Sequence, residues 1–259
     1  MRGNEYQQLY ICSKLIDVLK KIEKHGDIVG ENGILVIPSV SNMSMDFGKR
    51  FWISDDTDLN RLFPGNPSGE SGSRVAYAIM ETTKGYRYGI HLPSFYLGGT
   101  FMPHIRLLDP EHGSTSLANL FGLPYVIEAK SRPFDRTTLH NNWQRNGTEA
   151  FSLYTGMTGK IDDELAAQAV SSILRFLTRM GIIRYYSHSG YIASVLKEGD
   201  LEPIMTEAAG IFIKKAECGQ EVSRGDVLAQ IMKADSGEII SEVKAPTDQN
   251  TYSVITKQT

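Results

Sequence analysis

The residues of this 259-residue chain that could do chemistry fall in three places. Arg50 and the run Asp58-Leu59-Asn60-Arg61 put two arginines and an asparagine into one polar stretch. A planar guanidinium pairs with a carboxylate in bidentate fashion, so this stretch suits a carboxylate ligand. Read alone, the stretch favours the plainer reading, an arginine bridged on the surface to Asp55, Asp56 or Asp58. Glu5 lies at the start of an apolar-periodic segment and His91 at the end of a short apolar run. A glutamate and a histidine that reach one end of a sheet are zinc-type donors. Spacing alone favours plainer roles, a first-turn glutamate favoured by the helix dipole and a hydrogen-bonded strand-end histidine.

The elements that must position these residues can be read from periodicity. Apolar residues at Leu9, Cys12, Leu15, Ile16, Leu19 and Ile22 recur at three-four spacing and predict a helix over 5–24, with Gly26 to cap it. Residues 33–38 read as a short buried strand closed by Pro38, and 39–72 as one long loop, a length that is usually functional. Helices are predicted over 73–84, 116–121 and 161–180, the last with Ala166, Ala169, Val170, Ile173, Leu174 and Leu177 on one face. Strands are predicted over 88–92, 104–108, 125–128 and 150–154, with a polar, aromatic-dotted loop over 132–147. Strands and helices in alternation predict an α/β domain, a sheet flanked by helices, over 1–184. Beyond residue 199 the helical period disappears, and short runs at 210–213, 227–231 and 238–243 between glycines predict a small all-β module over 199–259.

Composition narrows the function classes. With 27 Lys+Arg against 30 Asp+Glu the formal charge is −3, which excludes a strong field for drawing in nucleic acid. No apolar run reaches the roughly 18 residues of a membrane span, and no basic-then-apolar leader follows Met1. Two cysteines, Cys12 and Cys218, are too few for a disulfide framework or a thiolate metal cage. A cytoplasmic setting is the expectation.

In this order the segments resemble the succinylglutamate desuccinylase/aspartoacylase family. The likeness is carried by Gly3-Asn4-Glu5 before a helix, then Arg50 and the stretch from Asp58 to Phe63-Pro64-Gly65. Gly89-Ile90-His91 follows, and then the stretch from Ala150 to Tyr154-Thr155-Gly156 before a long helix. The resemblance implies a zinc-carboxypeptidase-like mixed α/β sheet followed by a small β barrel-sandwich module. It also implies zinc-assisted hydrolysis of the amide bond of N-acyl amino acids or small peptides. Carried over residue by residue, Glu5 and His91 would be ligands of one zinc ion, and Asn60 and Arg61 would grip a substrate carboxylate. Arg50 would polarise the scissile carbonyl or stabilise the oxyanion.

The sequence departs from the family pattern at two positions. Arg2 stands where the first zinc ligand, a histidine, is expected, and arginine has no lone pair to offer a metal. Tyr154 stands where the general base is expected, and a phenol with a pKa near 10 suits hydrogen-bond donation to an oxyanion instead. His104 is the spare ligand, Glu149 and Glu128 the spare bases; His25, His112, His140 and His188 are assigned no role. These departures define the alternative, a metal-free, catalytically silent carboxylate-binding protein. A third reading follows from Gly219 to Gly225, Val227 to Ile231 and Ala245-Pro246, which resemble a biotinyl/lipoyl pattern with Lys233 as the modified residue. Both termini read as short against the family, and exposed sheet edges there would favour an oligomer.

Overall fold

A computed structural model describes residues 2–95, 99, 101–110, 114–247, 250 and 251. Met1, His112 and residues 257–259 lie outside them. The chain divides into two compact units, residues 1–94 with 103–198, and residues 95–102 with 199–259.

The first unit carries the candidate site residues. Its helices are α1 (Tyr6–Lys24), α2 (Asn42–Asp46), α3 (Ser71–Thr82), α4 (Ser114–Asn119), α5 (Leu139–Arg145) and α6 (Asp163–Arg179). Its sheet is built from β1 (Tyr88–His91), β2 (Phe101–Leu108), β3 (Tyr125–Ala129), β4 (Glu149–Gly156) and β5 (Ser194–Lys197), in the order β1-β4-β2-β3-β5. The first two residues of β2 count with the second unit. β1 runs parallel to β4, and β3 runs parallel to both β2 and β5. β4 and β2 are neighbours in this mixed sheet, and His104 of β2 stacks on Tyr154 of β4.

Alternation along β4 sorts the layers. Phe151 and Leu153 enter a core with Ile11 and Leu15 of α1 and Ile173 and Phe176 of α6. Ala150 points the other way, into a smaller cluster with Ile79 and Met80 of α3 and Leu139 and Trp143 of α5. Ser152 and Tyr154 share Ala150's direction, as do Gly89 and His91 on β1. One sheet face is therefore an apolar floor, and the other is polar toward the C-terminal ends of β1 and β4.

Local chemistry sets the ends of the long helices. Asp162 caps α6 by accepting the Leu165 N–H at 3.0 Å, which starts the helix at Asp163 rather than Ile161. Glu5 sits at the cap position of α1 but makes no capping bond, because its carboxylate is turned to other partners.

The strand expected over 33–38 does not form. Among the described residues this segment has no backbone hydrogen-bond partner, although Ile34 and Val36 still pack against the main core. A cavity of about 690 Å³, bounded by Leu15, Ile34, Val36, Ile90 and Phe176, separates it from β1, the terminal strand in the sheet order. Hydrophobic runs specify burial; ladder hydrogen bonds require a neighbouring strand. The loop expected over 132–147 instead contains α5, started by Thr138, whose hydroxyl accepts the Asn141 N–H.

The second unit is all-β. β6 (Ile211–Lys214), β8 (Val227–Met232) and β9 (Ile239–Lys244) form an antiparallel sheet in the order β6-β8-β9, and β7 (Glu221–Val222) pairs with β10 (Asn250–Thr251). Ala216, Val222, Leu228 and Ala245 make its small core. Lys233 lies at the exposed β8–β9 turn, where its ammonium pairs with Asp235 at 3.2 Å.

Candidate functional site

Arg2, Gly3 and Glu5 form the turn that leads into α1, and Gly3 fixes where that turn lies. A Cβ at Gly3 would fall 2.2 Å from the Lys49 carbonyl oxygen and 2.3 Å from the Ser44 carbonyl carbon. The Gly3 N–H also bonds the Arg50 carbonyl at 3.3 Å. Only glycine permits so close a backbone approach, and this approach seats Arg2 and Glu5 beneath the polar stretch that carries Arg50 and Asp58.

Glu5 is buried, and both its oxygens are engaged. Oε2 accepts the Arg2 backbone N–H at 2.7 Å; Oε1 accepts the Ser94 hydroxyl at 2.8 Å and Arg2 Nη1 at 3.3 Å. Arg2 reaches on to Asp58, Nε to Oδ1 at 3.1 Å and Nη2 to Oδ2 at 2.8 Å. Burial alone would raise the Glu5 carboxyl, but the positive charges at the start of the chain, Arg2 among them, hold it down at about 2. Glu5 is therefore an anion at neutral pH.

His91 ends β1 opposite Ser152 of β4. Burial pushes its imidazole down to about 3, against an upward pull from Glu5, so it is neutral. Beneath it, His140 of α5 shares a hydrogen bond between Nδ1 and Ser152 Oγ at 2.8 Å. Burial, with Arg106 nearby, lowers His140 to about 4. No role was expected of His140, which falls in the expected loop; a helix seven residues long carries no clear periodic signal.

The predicted zinc donors Glu5 and His91 lie in one region: Glu5 accepts the hydroxyl of Ser94, three residues beyond His91, and its charge pulls the imidazole upward. His104 does not join them: β4 lies between β1 and β2, and His104 stacks on Tyr154 with centroids 5.2 Å apart. Glu149 is opposite Tyr88, at the other end of the strands from His91, and Glu128 accepts the Thr115 hydroxyl at 2.6 Å. Among the described residues no group of three His, Cys, Asp or Glu is placed to hold a metal ion. The residues present do not fit a zinc ion held as the resemblance implies, because the Arg2 guanidinium lies against Glu5 and carries a permanent positive charge.

Tyr154 is half-buried on the polar face. Burial raises its phenol above the ordinary value, while Arg106 and Arg2 oppose the rise. It is protonated at neutral pH and suited to donate a hydrogen bond.

Asp58 Oδ1 also accepts the Asn60 N–H at 3.1 Å, capping a single 3-10 turn over Leu59–Arg61. Asn60 is buried, and its Oδ1 accepts the Leu139 N–H at the start of α5. Arg61 is half-exposed, with Nη1 donating to the Phe134 carbonyl at 2.9 Å and lying 3.7 Å from Asp135. The acidic partner of Arg61 is therefore Asp135 rather than Asp55, Asp56 or Asp58. Its guanidinium also packs 5.0 Å from the Phe134 ring centroid. Arg50 is half-buried, its guanidinium 6.0 Å from the Phe51 ring centroid.

The mixed sheet between helices, with a polar face at the strand ends and a small β unit following in sequence, defines a mixed α/β architecture of the desuccinylase/aspartoacylase type. Its solved likenesses agree. The product-bound ectoine utilization protein EutE (DoeB) of Ruegeria pomeroyi superposes with a TM-score of 0.78 at 18% identity, over 99% of this chain and 83% of that one. A succinylglutamate desuccinylase/aspartoacylase from Rhodobacter sphaeroides gives 0.74 at 18% identity, covering 95% and 76%. An aspartoacylase family protein from Mesorhizobium loti gives 0.74 at 19% identity, covering 99% and 80%. At these identities the likeness concerns the fold. No curated protein sequence matches the chain. The family described as the succinylglutamate desuccinylase/aspartoacylase catalytic domain matches residues 1–180, and the chain belongs to that family. No described helix is long and apolar enough to cross a membrane.

Proposed function

We propose that this chain recognises N-acyl amino acids or small peptides by their carboxylate, at the polar sheet face between α1 and the Asp58–Arg61 turn. The observation that carries this reading is that turn. Asp58 and Asn60 are tied into the protein on both sides, and they hold a half-exposed Arg61 beside them. A guanidinium fixed at its base and open to solvent is suited to a ligand carboxylate. Tyr154 then supplies a neutral donor for a ligand carbonyl. Hydrolysis of the ligand amide is the activity of the family; here we propose recognition that needs no metal, in a cytoplasmic setting.

Calorimetry on protein purified without a metal-affinity tag, titrated with a panel of N-acyl amino acids, tests this. Binding that survives a chelator and is lost in R61A is the expected outcome. No heat from any member of the panel would overturn it.

A second reading, zinc-dependent hydrolysis of the same ligands, is favoured by one observation, the juxtaposition of Glu5 and His91. It requires a third ligand where Arg2 now stands, and predicts amide cleavage abolished by the chelator.

A further inference from the structure

We propose that Arg2 is the resident cation of this site: its guanidinium excludes a divalent metal from Glu5 and His91 and satisfies the charge of Glu5 and Asp58 in the metal's place. The inference deepens the metal-free reading of the same site and rests on it.

Three features support the assignment. Arg2 is 4% exposed, so its charge is not screened by solvent as a surface arginine's would be. Its contacts are those of a bridging ion: it pairs with Glu5 at 3.3 Å on one side and with Asp58 at 2.8 Å on the other. Its Nη1 also donates to the Ser94 carbonyl at 3.3 Å, while the Ser94 hydroxyl donates to Glu5, so one loop residue is bound to both members of the ion pair.

The carboxylates are also unsuited to a second cation. Of about four lone-pair directions on a carboxylate, Glu5 uses at least three for donors from Arg2 and Ser94 among the described residues. Asp58 likewise uses at least three, for two Arg2 nitrogens and the Asn60 N–H. A divalent ion beside Glu5 would face the guanidinium in a low-dielectric interior, where like charges repel strongly. Because arginine does not deprotonate in proteins, no change of pH in the working range opens the site. The neutral His91 keeps its lone pair, so the chain retains two zinc-type donors and lacks the third that a zinc site normally takes.

Equilibrium dialysis against zinc, followed by elemental analysis, and the visible absorption of added cobalt(II) test the proposal without an activity assay. The wild-type protein is expected to retain essentially no zinc and to give no cobalt band. R2H, which supplies a third ligand and removes the charge, is expected to rise to about one zinc per chain and to show the intense cobalt band of a tetrahedral site. About one zinc on the wild type would overturn the proposal. So would a folded R2H variant that binds none. If circular dichroism shows R2H unfolded, R2G with added imidazole asks the same question: metal uptake supports the proposal, and none in a folded sample overturns it. Carboxylate binding by the wild type, measured separately, can fail while these results stand, which distinguishes the two readings.

Discussion

Arg2 and Asp58 meet through two parallel hydrogen bonds across fifty-six positions of sequence, Nε to Oδ1 and Nη2 to Oδ2, with both side chains buried. The same Oδ1 caps the Leu59–Arg61 turn. One carboxylate therefore joins the turn before α1 to the turn that presents Arg61. Breaking a buried pair by removing one partner leaves an uncompensated charge, at a cost of about 3–5 kcal/mol. D58N is expected to lower stability by about that amount in urea denaturation. A loss below about 1 kcal/mol, the range of exposed pairs, would show that the bridge is not maintained in solution.

Arg61 should behave in the opposite way. Its side chain is half-exposed, and its ion pair with Asp135 is long at 3.7 Å. Exposed pairs contribute about 0–1 kcal/mol, so R61A is expected to unfold close to the wild-type midpoint. A charge-assisted hydrogen bond to a ligand carboxylate is worth about 1.5–3 kcal/mol, or roughly ten- to a hundredfold in affinity. Unchanged affinity in a folded R61A sample would remove Arg61 from the binding surface.

How far the sequence alone reached depended on the kind of signal. The three-four spacing from Leu9 to Ile22 and from Ala166 to Leu177 located α1 and α6 to within two residues, because long amphipathic stripes leave few alternatives. β1, β3 and β4 were legible as short apolar runs. The run at 33–38 has the same composition and is not a strand, since pairing depends on a neighbour the run cannot specify. β5 and α5 are short and lack a clear period, so neither was legible, and the placement of His140 on α5 went with them. The meeting of Glu5 with His91 was legible only through the family resemblance. That Asp58 would bind Arg2 was not legible at all, because nothing in local spacing links residues so far apart.

The segment at 33–38 gives a direct test of that distinction. With no described backbone partner, its amides lack the protection of a ladder even though Ile34 and Val36 are packed. Local opening free energies range from near zero up to the global value. Hydrogen exchange is expected to find these amides among the fastest in the first unit and those of Phe151 and Leu153 among the slowest. Slow exchange across 33–38 would mean that this stretch is hydrogen-bonded in solution.

Gly3 is the most constrained glycine near the site. A methyl group there would lie 2.2–2.4 Å from the Lys49 and Ser44 backbones, and neither can yield as a flexible side chain would. Overpacking of this kind costs about 1–3 kcal/mol, occasionally more. G3A is therefore expected to destabilise the fold by at least about 2 kcal/mol, and to weaken ligand binding as well, because Arg2 and Glu5 move with the turn. G26A is the control, since no atom lies within 4 Å of a Cβ there. Its φ of +73° makes the substitution a test of backbone strain alone. Equal losses in the two variants would mean that contact with residues 44–49 is not what requires glycine at position 3.

The two buried histidines predict how stability depends on pH. His140 titrates near 6.5 in the unfolded chain and at about 4 in the fold, and His91 shifts in the same direction to about 3. Between these values the unfolded state binds protons that the native state refuses. Stability is therefore fully present above pH 6.5 and falls as pH drops through this window. At about 1.4 kcal/mol per pKa unit, His140 alone accounts for a loss of about 3 kcal/mol by the time pH reaches 4. Glu5 adds to the loss only lower, between its unfolded value near 4.5 and about 2. Urea midpoints measured at intervals from about pH 7.5 to pH 4.5 should hold level down to about pH 6.5 and then fall in the wild type, over the range where both imidazoles resist protonation. H140Q should start lower, having lost the bond to Ser152, but fall with a shallower slope, since one of the two refused protons is gone. Parallel wild-type and H140Q curves would mean that His140 is protonated in the native state near its ordinary value, and that the polar face around Ser152 is wetter than its burial implies.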